Sequence, residues 1–168
     1  MHVDDIKESP EVSPLPEHSQ KKSSWVWWLA LIAVIAMGAY FRYIGMDWDE
    51  NHHLHPDERF LTMVASAIEP VDSFSDYFNT HESSLNPNNR GFGFYVYGTL
   101  PLFIVRYLAE WLEYTGYGEV YLVGRYASAT VDMLTVFLVF LVSYRLYRDK
   151  RLSVLATAFS ACAVMQIQ

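Results

Sequence analysis

The stretch Asp47-Trp48-Asp49-Glu50-Asn51-His52-His53-Leu54-His55-Pro56-Asp57-Glu58-Arg59-Phe60 is where this chain gathers side chains that can move a proton or hold a cation. It sets five carboxylates and three imidazoles within fourteen residues. A carboxylate close to an acceptor hydroxyl can serve as a general base. Histidine mixed with carboxylate can take a divalent metal. His53, His55 and Asp57 alternate along the chain. An extended backbone would put both histidines on one side, where His52, Asp49 or Glu50 could complete a metal site. The spacing matches no strong zinc signature, so His53 and His55 are weak metal candidates. A solvated, hydrogen-bonding histidine cluster is the plainer reading.

Pro56 biases His55 to an extended conformation and suits the first position of a helix. The pattern predicts that helix over 56–68, with Phe60, Leu61, Val64, Ala65 and Ile68 on one face. Such an amphipathic helix is expected to lie along a membrane surface. Asp57 and Glu58 fall in its first turn, where carboxylates complement the helix dipole by about 0.3–1 kcal/mol each. Adjacent helical residues point about 100° apart. The two carboxylates are therefore not expected to address one atom, and one could act on a substrate while the other orients a neighbour.

The elements that would carry this loop read as membrane spans. The chain has 168 residues and is 52% hydrophobic and 16% aromatic, with apolar residues in long blocks. Residues 1–24 are rich in Pro, Ser, Glu and Lys and read as a disordered cytoplasmic tail. The run 25–44 approaches the ~20 residues that cross a bilayer. Trp25, Trp27 and Trp28 mark one of its interfaces, and Tyr40, Phe41 and Tyr43 the other. A signal peptide is the alternative for this run, opposed by its long acidic leader and its tryptophans. Further spans are expected over about 120–144 and 152–168, leaving 45–119 as a large loop.

Charge sets the orientation. The loop 47–118 carries three basic and eleven acidic residues, a net of −8. Arg145, Arg148, Lys150 and Arg151 cluster just after the second span. The positive-inside rule places them, with Lys21 and Lys22, in the cytoplasm and the acidic loop outside. The segment 92–111 is apolar but contains Gly98, Pro101 and Arg106. If it spanned, the basic turn would fall outside, so it is read as interfacial or re-entrant. Its aromatics and glycines suit either a groove for a sugar or lipid chain or an interfacial belt. Arg125 and Asp132, seven residues apart, share one helical face in the second span. Arg125 suits a bidentate phosphate contact or snorkelling; Arg42 and Arg106 have the same two readings, with snorkelling favoured for Arg42. There is no basic footprint for nucleic acid. Cys162 is the only cysteine, so no disulfide forms within the chain.

The order of these motifs resembles a known family. A span is followed by Asp47-Trp48-Asp49-Glu50 and by His55-Pro56-Asp57-Glu58-Arg59-Phe60. Tyr97-Gly98-Thr99-Leu100-Pro101-Leu102 comes next, then Gly124-Arg125-Tyr126-Ala127-Ser128-Ala129, and the chain closes on Val164-Met165-Gln166-Ile167-Gln168. From about residue 25 onward this is similar to the amino-terminal part of bacterial glycosyltransferase family 39 proteins. Those resemble protein O-mannosyltransferases and the aminoarabinose transferase of lipid A, all of the GT-C fold. The resemblance implies an all-α, multi-pass membrane protein whose large extracytoplasmic first loop carries juxtamembrane helices. It implies sugar transfer from a polyprenyl-phosphate carrier to an acceptor outside the plasma membrane, the acceptor being open. Asp57 would be the general base and Glu58 its partner, with Arg125, Arg59, Tyr97, Asp49 and Glu50 around the substrate. No cofactor is demanded, and a divalent metal is left open. Family members carry many more spans, so the expectation is an amino-terminal portion of such an enzyme, inactive alone if other parts of the site lie elsewhere. The competing reading is a non-enzymatic membrane module whose acidic, histidine-rich loop binds cations or a partner protein. A transporter segment is a third, supported only by Arg125 and Asp132.

Overall fold

The computed structural model describes residues 24–163, and the tail and the final residues 164–168 lie outside it. All regular structure among the described residues is helical. Helix α1 is Ser24–Tyr43, α2 Pro56–Ala67, α3 Phe74–Phe78, α4 Thr99–Leu112, α5 Tyr117–Tyr147 and α6 Lys150–Ala161. A 3-10 turn, Pro87–Arg90, lies between α3 and α4.

Two helices, α1 and α5, are long and apolar enough to cross a membrane. The 20 residues of α1 reach about 30 Å, the thickness of a hydrocarbon core. The 31 residues of α5 reach about 46 Å, so α5 has length to spare beyond a single crossing. They run antiparallel. Trp28 meets Phe140 at 6.0 Å near one end, and Tyr43 stacks on Tyr126 at 6.1 Å near the other. Helix α6 runs beside α1 in the same direction, from Arg151 over the Trp27 ring to Ala161 against Gly38. A Cβ at Gly38 would come within 3.2 Å of the Ala161 Cβ, so glycine there lets α1 and α6 close. Leu31, Phe140 and Val154 form the centre of this three-helix group.

The expected third span, 152–168, is described only as far as residue 163. Over that part it forms α6 as far as Ala161, with Cys162 as the cap. The twelve residues of α6 reach about 18 Å. Asp149 begins the helix by accepting a hydrogen bond from the Arg151 N–H at 2.7 Å. The tight α5–α6 turn passes through Arg148 in the left-handed region, at φ 54°.

The second core lies where α2 and α4 pack on the first turns of α5. Val64, Ala65, Ile68, Leu85, Leu102, Ala109, Val120 and Val123 form it. This changes the reading of α2. Its boundaries match the predicted helix closely, but its apolar face packs into protein instead of resting on lipid. The cause is α4, which supplies Leu102 and Ala109 against that face. Helix α4 itself has 14 residues, about 21 Å, too short to cross.

Candidate functional site: a carboxylate cluster around Arg125

Helix α2 begins at Pro56, whose missing N–H is no loss at that position. His55 caps it: its Nδ1 accepts a 3.4 Å hydrogen bond from the Glu58 N–H. Asp57 and Glu58 therefore stand in the first turn with fixed and different directions. Glu58 turns to α5 and receives the side of the Arg125 guanidinium, Nε to Oε1 at 2.6 Å and Nη2 to Oε2 at 2.8 Å. A bidentate guanidinium–carboxylate pair is among the stronger protein hydrogen-bond arrangements.

The remaining nitrogen of Arg125 holds the turn that follows α1. Nη1 donates to the Met46 carbonyl at 2.6 Å. Asp49 Oδ1 forms an ion pair with the same nitrogen at 3.0 Å. Asp49 is buried, and its Oδ2 accepts the Leu54 N–H at 3.3 Å. The Arg125 guanidinium holds the Asp49 carboxyl below the usual carboxylate range, against the opposing effect of burial. Two aromatic rings complete the clamp. The Arg125 guanidinium carbon lies 4.8 Å from the Tyr121 ring centre and 5.7 Å from that of Trp48. The Tyr121 hydroxyl donates to Asp47 at 2.5 Å.

Arg125 is thus surrounded by Glu58, Asp49 and the Met46 carbonyl. Counting Asp47 through Tyr121, three carboxylates share one cation, so the cluster is electronegative. Asp57 is exposed beside it. Its carboxylate, beside the Tyr97 hydroxyl, raises that phenol above its ordinary pKa. Tyr97 belongs to an aromatic group on Phe60: Tyr95 at 6.3 Å, Tyr97 at 6.1 Å and Phe92 at 5.9 Å. Burial raises the Tyr95 phenol as well.

The other site candidates are placed apart. Arg59 is exposed and makes no ion pair among the described residues. Glu50 is exposed at φ 47° and does not reach Arg125. His53 and His55 do not converge. His53 is buried between the rings of Tyr117, at 4.4 Å, and Tyr121, at 4.9 Å, with neither ring nitrogen hydrogen-bonded. Among the described residues no three His, Cys, Asp or Glu side chains gather as a metal site.

Sequence reasoning missed Tyr121 and the Met46 carbonyl, and it singled out the Asp47-Trp48 stretch without giving either residue a partner. Tyr121 was findable, since it stands four residues before Arg125 and shares its helical face. The shared face of Arg125 and Asp132 misled, because Asp132 pairs with Arg42 across helices. Arg42 does not snorkel. It is 5% exposed and also donates to Gly38 O at 3.1 Å and Ala161 O at 2.9 Å. Arg106 is likewise buried and donates to Glu110 at 2.8 Å. No protein-family model, curated protein or solved structure matches the chain.

Proposed function

We propose that this chain acts in glycosyl transfer, from a polyprenyl-phosphate sugar to an acceptor at the non-cytoplasmic face of the plasma membrane, with Asp57 as general base. The observation that carries the reading is the division of labour in one helical turn. Glu58 is fixed by Arg125, while Asp57 beside it is exposed and keeps its carboxylate available. α1 and α5 cross the bilayer in this reading. The Arg145, Arg148, Lys150 and Arg151 end is cytoplasmic by the positive-inside rule, and α2 stands at the opposite end.

In the reaction, the acceptor hydroxyl gives its proton to Asp57 as its oxygen attacks the anomeric carbon. The bond from that carbon to the phosphate oxygen breaks, and polyprenyl phosphate departs with the electron pair. Arg125 is a positioning residue here, because its donors are already directed at Glu58 and Met46. Arg59, exposed and two residues from Asp57, is the nearer cation for the departing phosphate.

The test is Asp57→Asn in membranes carrying the chain, supplied with a labelled polyprenyl-phosphate sugar. Release of polyprenyl phosphate is expected to fall about 10²–10⁴-fold with membrane insertion unchanged. Turnover near that of the unsubstituted chain would remove Asp57 from the mechanism.

A further inference from the structure

An open groove of about 290 Å³ lies past the end of α2 that is opposite Asp57, between the segment 71–77 and α4. Val71, Asp72, Ser73, Phe74, Tyr77 and Tyr107 line it. Three of the six are aromatic, one is a carboxylate, and none carries an amide, ammonium or guanidinium side chain. Local contacts hold the walls. The Val71 N–H donates to the Tyr107 hydroxyl at 3.4 Å. Ser73 caps α3 by accepting the Asp76 N–H at 3.2 Å. Tyr77 then meets the Phe103 ring of α4 edge-on at 6.1 Å, and Phe74 rests on Phe78 at 4.9 Å. The three lining rings stay open to solvent all the same, Phe74 at 80% exposure, Tyr77 at 39% and Tyr107 at 42%.

Charge selects what such a groove can hold. From Glu69 to Arg90 the chain carries Glu69, Asp72, Asp76 and Glu82 against His81 and Arg90. Arg90 is taken by Glu69, at 2.5 Å. Asp72 makes no ion pair among the described residues, so no side chain of the protein compensates the carboxylate in the groove. An anion would meet that carboxylate with no cation or amide to hold it. A sugar needs donors as well as acceptors. The hydroxyls of Ser73 and Tyr107 are the only ones the lining side chains offer, and that of Ser73 is engaged with Ser75 at 3.0 Å. A metal ion would find one carboxylate and no cluster of ligands. A bulky, weakly hydrated cation suits what is present. Aromatic rings attract it through their negative faces, and the carboxylate supplies the opposite charge.

We propose that this groove binds an organic cation, a quaternary or alkylated ammonium group, among Phe74, Tyr77 and Tyr107 with Asp72 as its counter-charge. The proposal stands on the groove, its rings and its charge. It rests neither on sugar transfer nor on the membrane crossing.

The experiment titrates choline chloride into the full chain, ring-labelled at tyrosine, in polyoxyethylene detergent micelles, and follows it by NMR. Tyr77→Phe and Tyr107→Phe assign the two signals. Both are expected to move together and to saturate. The neutral counterpart of choline, in which a carbon replaces the nitrogen, is expected to bind about 3–30-fold more weakly, the range a cation among aromatic rings contributes. Asp72 is exposed, so Asp72→Asn keeps the fold. It is expected to weaken choline severalfold and to leave the neutral alcohol unchanged. Equal affinity for the two compounds, a choline titration unaltered by Asp72→Asn, or saturation by methyl glucoside at lower concentration than by choline would each overturn the proposal. Repeating the titration in phosphatidylcholine and phosphatidylglycerol nanodiscs identifies the source of the cation. Signals already displaced in phosphatidylcholine support a lipid headgroup, and signals that move only with added choline support a free ligand.

Discussion

Arg42 and Arg125 each bind a carboxylate across helices, and the two surroundings differ in charge balance. Arg42 lies within the three-helix group and faces one carboxylate, Asp132, together with the carbonyls of Gly38, Ser160 and Ala161. Its charge is matched and its donors are directed at protein. Arg125 lies beside the second core and faces Glu58 and Asp49, with Asp47 linked through Tyr121. There the carboxylates outnumber the cation, and exposed Asp57 adds another. A matched, buried ion pair fixes how helices meet. In the unmatched cluster one carboxylate, Asp57, stays exposed.

The comparison breaks first at Arg42. Removing one member of a buried pair leaves an uncompensated charge, so Arg42→Met is expected to cost about 3 kcal/mol of stability in detergent micelles. Arg42→Met combined with Asp132→Leu is expected to recover most of that loss. Thermal unfolding of both variants and the unsubstituted chain checks this, and equal losses in the single and double variants would remove the pair from the account of helix association.

A smaller and more local effect is expected at Arg125. Lysine keeps the charge but cannot make the two parallel contacts to Glu58. Arg125→Lys is expected to cost about 1–2 kcal/mol, confined to the second core. Hydrogen exchange should quicken across 46–58 while α1 and α6 keep their protection. Equal loosening of both cores would erase the distinction drawn between the two arginines.

The smallest effect concerns Asp57 and Tyr97. The carboxylate beside it raises the phenol's pKa, so the protonated phenol is the favoured form. The stability this adds is present below the ordinary tyrosine pKa and is lost as pH rises through the raised one. Asp57→Asn removes the charge and is expected to bring the Tyr97 midpoint down. A ring-labelled tyrosine titration by NMR reads it, and an unmoved midpoint would separate Asp57 from Tyr97.

Much of the helical architecture was legible in the residues. The apolar run 25–44 and the interval 120–144 correspond to α1 and α5, because a long uninterrupted apolar stretch has few ways to satisfy its backbone except as helix. Pro56 and the periodicity after it located α2 to within a residue. The different directions of Asp57 and Glu58 followed from 100° per residue. Less was legible where distant segments meet. Nothing local tells Arg42 to reach Asp132 ninety residues away, or tells α6 to stop at Ala161.

By itself the sequence determined the helices, the uneven charge between the two ends and the carboxylate pair at the start of α2, since periodicity, proline geometry and charge counting are local properties. Only the tertiary structure decided which carboxylate each arginine takes and that α2 buries its apolar face in protein. Those outcomes depend on which surfaces are brought together, and burial is a property of contacts between segments that no single stretch carries.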